Sequence, residues 1–175
     1  MQSIFHRFVH FCGQFSNQLL QRMKKIYELK AVILVSRQGV LISGIPGHDI
    51  EDLQLSNIKI YYKGGGSKSS VKRIVPEYEK DYPEPGSWKI MPSYGFYIRH
   101  VRNLKIHDVQ VSYMKDDFRP PFILDDVKGA ILYDIQAEKK ADASYFILKN
   151  VQDINLLEIK GVKDIYIKNI NQKDL

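Results

Sequence analysis

The sequence predicts an all-β solenoid, a parallel β-helix, preceded by an N-terminal amphipathic α-helix. Three observations carry this: one eleven-residue pattern recurs along the body, its copies start at intervals in the twenties, and the first thirty residues follow a helical period instead. The chain has 175 residues, 44% of them hydrophobic and 26% charged. That suits one globular body with a sizeable core and excludes collagen-like, disordered and disulfide-stapled classes. The single cysteine, Cys12, cannot close an internal disulfide, and no apolar run approaches the ~18 to 20 residues of a membrane helix.

Residues 1–30 form the first unit. Phe5, Phe8, Cys12, Phe15, Leu19, Met23 and Ile26 recur at helical spacing, with no proline and no acid before Glu28, which predicts an amphipathic helix over roughly residues 4–29. His6, Arg7 and His10 interrupt the apolar run, and no small-residue cleavage site follows, so no signal peptide is recognisable. The same helix could dock on a membrane surface, but His and Gln on its polar face and the sparse lysine before Lys24 argue against that. The formal charge is +6. Most of the excess sits here, as Arg7, Arg22, Lys24, Lys25 and Lys30 against Glu28, whereas a protein built to neutralise phosphates carries it on the folded body. Nucleic acid is therefore not an expected partner.

Residues 31–175 form the second unit, opening on the β-branched run Val32-Ile33-Leu34-Val35. The runs Ile50–Ile60, Val101–Val111, Val127–Ala137, Val151–Leu156 and Val162–Ile170 share a template: aliphatic, any, Asn/Asp/Gly, aliphatic, any, aliphatic, any, Asn/Asp, aliphatic. Starts at 101, 127 and 151 are 26 and 24 residues apart. Each copy reads as a strand with alternate side chains inward, a corner at Asn or Asp, and a second short strand. Asn and Asp suit corners because they tolerate left-handed backbone. A leucine-rich repeat would need helical half-repeats that these β-branched segments do not supply. The repeats predict about five or six coils, with Leu53, Leu55, Leu104, Ile106, Leu132, Ile135, Ile154, Leu156, Ile165, Ile167 and Ile170 among the inward residues. Residues 64–94, with Gly64-Gly65-Gly66 and Pro76, Pro83, Pro85 and Pro92, interrupt the repeats as a long loop.

Several segments resemble a known family in sequence order: Gly39–His48, Tyr82-Pro83-Glu84-Pro85, Pro92–Val101, Asp117-Phe118-Arg119-Pro120-Pro121 and Leu124-Asp125-Asp126-Val127. They resemble the C-terminal coils of glycoside hydrolase family 28, the polygalacturonase-like proteins of the pectin lyase fold. The resemblance covers roughly Gly39 to Ala137 and does not reach residues 1–38. It implies a right-handed parallel β-helix, pectic polysaccharide or oligosaccharide as partner, inverting hydrolysis in the complete relatives, and secreted or periplasmic relatives. The family carries its catalytic groups on Asn-Thr-Asp, Asp-Asp, Gly-His-Gly and Arg-Ile-Lys segments upstream of the matched coils, and none of the three-residue motifs occurs here. The expected function is thus the C-terminal β-helix portion of such a hydrolase, truncated and without catalytic residues of its own. The alternative is a non-catalytic carbohydrate-binding or scaffold β-helix module.

Candidate chemistry is sparse. Asp125 and Asp126 lie in strand-like context, where successive side chains point to opposite faces, and read as a coil corner. Asp116 and Asp117 read as solvated loop acids, and His48 as a turn histidine. Gly64-Gly65-Gly66 lacks the Gly-Lys-Ser/Thr ending and the following helix of a phosphate loop, and reads as a flexible turn. No His, Cys, Asp or Glu grouping has metal-ligand spacing, so neither metal nor cofactor is expected. The substrate-binding candidates are Tyr82, Trp88 and Tyr94, with Tyr78 beside them, because aromatic faces cover the apolar faces of sugar rings. Arg99 joins them as a bidentate partner for a uronate carboxylate. These aromatics either wall a cleft or pin the loop to the coils. Oligomeric state is not readable from the sequence.

Overall fold

A computed structural model describes residues 27–36, 39–78 and 88–175. The described chain is all-β: β1 (Tyr27–Ser36), β2 (Val40–Ser43), β3 (Ile50–Glu51), β4 (Leu53–Gly64), a one-turn helix α1 (Lys68–Val71), β5 (Phe96–Lys115), β6 (Phe122–Ala137), β7 (Phe146–Ile159) and β8 (Ile165–Asp174). The strands form one mixed sheet in the order β1-β4-β5-β6-β7-β8, with β2 and β3 also paired to β5. The helix expected over residues 4–29 lies outside the described residues up to Ile26. Its last turn does not form: Tyr27, Glu28, Leu29 and Lys30 pair in parallel with Leu53, Gln54, Leu55 and Ser56, because the edge of β4 offers them backbone partners.

The repeat template translates directly into register. β5 and β6 pair in parallel with Val101 on Val127 and Leu104 on Ala130, and β6 and β7 with Ala130 on Ile154 and Leu132 on Leu156. Equivalent side chains therefore stack in columns, such as Leu55, Ile106, Leu132 and Leu156, each at most 1% exposed, and together they form the main hydrophobic core. The template's polar positions are corners with left-handed backbone. Asp52, Asn103, Gly129 and Asp153 form one file of positive φ, and Asn57, Asp108, Asp134 and Glu158 another. Asn103 Nδ2 donates to Asp52 Oδ1 at 3.1 Å, tying one corner to the next.

The last copy departs from the expected coil. Residues 165–174 turn back and pair antiparallel with β7, Ile154 opposite Ile167 and Val151 opposite Ile170. The physical reason is a tight turn: Val162 N–H donates to Ile159 O at 3.0 Å, Gly161 takes a φ of +85°, and Glu158 N–H donates to Asp164 Oδ1 at 2.8 Å, so the chain reverses at once along β7. Ile167 is still buried, while Ile165 and Ile170 are half-buried against the core.

The segments Phe96-Tyr97-Ile98, Phe122-Ile123-Leu124 and Phe146-Ile147-Leu148 are apolar without alternation, and both their faces are covered. Phe96, Phe122 and Phe146 point into the main core. Tyr97, Ile123 and Ile147 form a second cluster with Val75, Trp88 and Met91 of the long loop, which lies along the sheet. Gly64, where β4 ends, has φ +70°, and a Cβ there would run into the Lys115 carbonyl oxygen of β5. Gly64→Ala is expected to lower stability by about 1–3 kcal/mol, read as a shift in the urea midpoint. An unchanged midpoint would mean that β4 and β5 do not approach this closely.

Candidate functional site

The polar side chains converge where β2 and β3 join beside β5. Ser43 pairs with Arg99 and Ile50 with Val101, so residues 44–49 loop out opposite His100. The loop is a tight turn, closed by Ile45 N–H donating to His48 O at 3.2 Å and His48 N–H to Ile45 O at 2.8 Å. Pro46 and Gly47 suit its two central positions, and Gly47 supplies the φ of +79° that a type II turn requires. His48 is exposed there, whereas Asp49 is carried in beside His100.

His100 itself occupies a corner, at φ 52°, directly before the Val101 column, and Asp126 holds the equivalent corner of β6 at φ 54°. His100 Nδ1 lies 2.7 Å from Asp126 Oδ2, and its Nε2 lies 3.3 Å from Glu77 Oε2 of the long loop. Glu77 in turn faces Arg99 NH1 at 3.0 Å. Asp49 Oδ2 accepts from Arg102 Nε at 2.5 Å, and Lys128 Nζ approaches Asp126 Oδ1 at 3.5 Å. Partial burial pushes the Asp126 carboxyl up, but the His100 hydrogen bond and the charge of Lys128 outweigh it and hold the carboxyl below the usual range. One ligand atom each from Asp49, His100 and Asp126 falls within a 4.8 Å span, a grouping that could hold a metal ion.

The binding candidates from the sequence fall elsewhere. Tyr82 lies outside the described residues. Trp88 is 5% exposed, donates from Nε1 to Pro76 O at 3.3 Å and meets Tyr78 edge-on. Tyr94 is fully buried, with its hydroxyl donating to Glu138 O at 2.5 Å and its ring between Tyr62 and Tyr113. Burial pushes its phenol far above the ordinary tyrosine range. Arg99 is 3% exposed and donates to Ser43 Oγ, Val75 O and Pro76 O. Trp88, Tyr94 and Arg99 therefore pin the loop to the strands, and their faces are not open to a sugar ring. Asp125 accepts from Tyr97 Oη at 2.6 Å.

Asp117 corrects the reading of a solvated loop acid. It is fully buried, accepts from Arg119 Nε and NH2 at 2.9 and 2.7 Å, and takes a third bond from Gly66 N–H at 2.9 Å. The cluster around His100 had one trace in the sequence: aligning the copies sets Arg99-His100-Val101 over Asp125-Asp126-Val127, so opposite charges face each other across the ladder. Asp49 and Glu77 had none, because a turn and a long loop deliver them. Comparison with known proteins matches the chain to no family model, no curated protein and no solved structure.

Proposed function

We propose that the chain is the C-terminal β-helix portion of a polygalacturonase-like protein of glycoside hydrolase family 28, and that by itself it does not cleave pectic polysaccharide. One observation carries the β-helix part of this reading: strand length is incompatible with link length unless the strands coil. β5 has 20 residues, about 66 Å if drawn straight at ~3.3 Å per residue. The six-residue link 116–121 reaches at most about 20 Å, yet Phe122 pairs in parallel with Phe96. Left-handed corners that turn the strand once per repeat reconcile the two, as a coil of a solenoid does. The family part of the reading rests on the ordered resemblance between Gly39 and Ala137.

Inverting hydrolysis needs an acid and a base about 6.5 to 9.5 Å apart with room for a water. Asp49 and Asp126 approach within 4.8 Å, and both are occupied by His100, Arg102 or Lys128. Purified protein incubated with polygalacturonate is expected to release no reducing sugar above buffer. Release abolished by Asp125→Asn or Asp126→Asn would overturn this.

A second reading, a non-catalytic carbohydrate-binding module, is favoured by an outward ladder on the same strands. His107 and Tyr133 stack with centroids 4.9 Å apart, Lys105 Nζ sits 5.9 Å from the Tyr133 ring centre, and Ile131 and Leu157 are 43% and 37% exposed. Apolar edges beside a cation suit a uronate chain. On this reading, polygalacturonate retards the wild type in an affinity gel, and Lys105→Glu with Tyr133→Ala abolishes the retardation. Equal retardation of both proteins would contradict it.

A further inference from the structure

We propose that Asp49, His100 and Asp126 form a binding site for one divalent transition-metal ion of the zinc class. The three residues come from separate segments, the turn before β3 and the corners of β5 and β6, and their ligand atoms converge within 4.8 Å. The Asp49, His100 and Asp126 side chains are 8%, 12% and 30% exposed, so the site is largely covered yet open on one side.

The orientation of the imidazole is the second observation. Both ring nitrogens face carboxylate oxygens, Nδ1 at 2.7 Å from Asp126 and Nε2 at 3.3 Å from Glu77. A neutral imidazole has one N–H for two acceptors, so with Nε2–H given to Glu77 the Nδ1 lone pair faces Asp126, the arrangement of a nitrogen and a carboxylate that share an ion. Glu77 is fixed by the buried Arg99 and suits the outer partner that accepts Nε2–H and orients a ligating histidine. Nδ1 then faces the ion together with Asp126 and Asp49. The remaining cations touch the ligands from the solvent side: Arg102 on Asp49 and Lys128 on Asp126, with side chains 52% and 41% exposed. Each engages one carboxylate oxygen, and each has a long solvated stem that can swing away. One imidazole with two carboxylates selects zinc, cobalt or manganese over magnesium and calcium, which prefer all-oxygen sites.

The test is calorimetric titration of the full chain, stripped with chelator and desalted, using zinc chloride at neutral pH. One equivalent is expected to bind, with magnesium chloride giving no heat. Asp49→Asn should weaken binding at least tenfold, and Glu77→Gln by roughly 10- to 100-fold. X-ray absorption of the zinc-loaded wild type, which needs no variant to fold, should show one imidazole nitrogen and oxygens. Absence of uptake would overturn the proposal. So would affinity unchanged in both variants, or a shell containing sulfur or several imidazoles, which would move the site to Cys12 and the other histidines.

Discussion

Phe122→Ala is expected to destabilise the protein by about 3–5 kcal/mol, the upper range for a single core truncation. Phe122 is fully buried, and its ring lies between Phe96, at 5.4 Å and 4°, and Phe146, at 5.3 Å and 25°. The neighbouring backbones are fixed at a ladder spacing of about 4.8 Å, so the outer rings cannot close over the hole. The loss therefore combines the transfer term, an unfilled cavity and two aromatic contacts of about 0.5–1.5 kcal/mol each. Urea unfolding should show a lower midpoint at an unchanged slope. Ile131→Ala, on the outward side of the same strand and 43% exposed, should stay within about 0.5 kcal/mol. Equal effects of the two substitutions would mean that the inward and outward faces are misassigned.

Asp117→Ala should cost about 3–5 kcal/mol by a different route, since it strands a buried guanidinium. Asp117 holds Arg119 at 2.7 and 2.9 Å and also binds Gly66 N–H, while Arg119 NH1 donates to Met91 O at 3.0 Å. The pair thus joins three points: the start of the long loop, its end, and the link before β6. Burial alone would raise the Asp117 carboxyl, but the hydrogen bonds from Arg119 and Gly66 and the charge of Arg119 outweigh it, so the folded carboxyl lies below the ordinary range. A depressed folded value contributes stability that is fully present above the unfolded value, ~3.9, and is lost as pH falls through the folded one. The gap between wild type and Asp117→Ala should therefore be full at pH ~7 and narrow in acid below about pH 4. Replacing both partners with apolar residues should recover part of the loss. A gap that widens in acid would contradict the assignment.

The core columns were legible because alternation of aliphatics is a local property of the strand, and Leu53, Leu104, Ile154 and their neighbours show it openly. Chain direction was not. Val162–Ile170 scans like the other copies, since in-and-out alternation is the same in parallel and antiparallel pairing, and the tight turn at Gly161 decides between them. The aromatic residues Trp88 and Tyr94 carry the same composition signal whether they wall a cleft or pin a loop. Only the path of the loop along Tyr97, Ile123 and Ile147 separates the two. Asp117 looked solvated because one of its partners, the Gly66 N–H, lies 51 residues away in the sequence. The His100 cluster depends on an insertion, residues 44–49, that breaks the regular offset between copies.

The parallel stack itself is tested most directly by cysteine pairs in a Cys12→Ser background. Lys105 pairs with Ile131 and Gln110 with Gln136, and all four face outward on exposed positions. Laterally paired residues have the Cα separation a disulfide accepts, about 4.4–6.8 Å. Cysteines at 105 and 131, or at 110 and 136, should therefore oxidise to an intramolecular disulfide in the folded protein, whereas the crossed pairs 105 with 136 and 110 with 131 should not. Antiparallel pairing of the same two strands would give the reverse, and efficient closure of the crossed pairs would contradict the account.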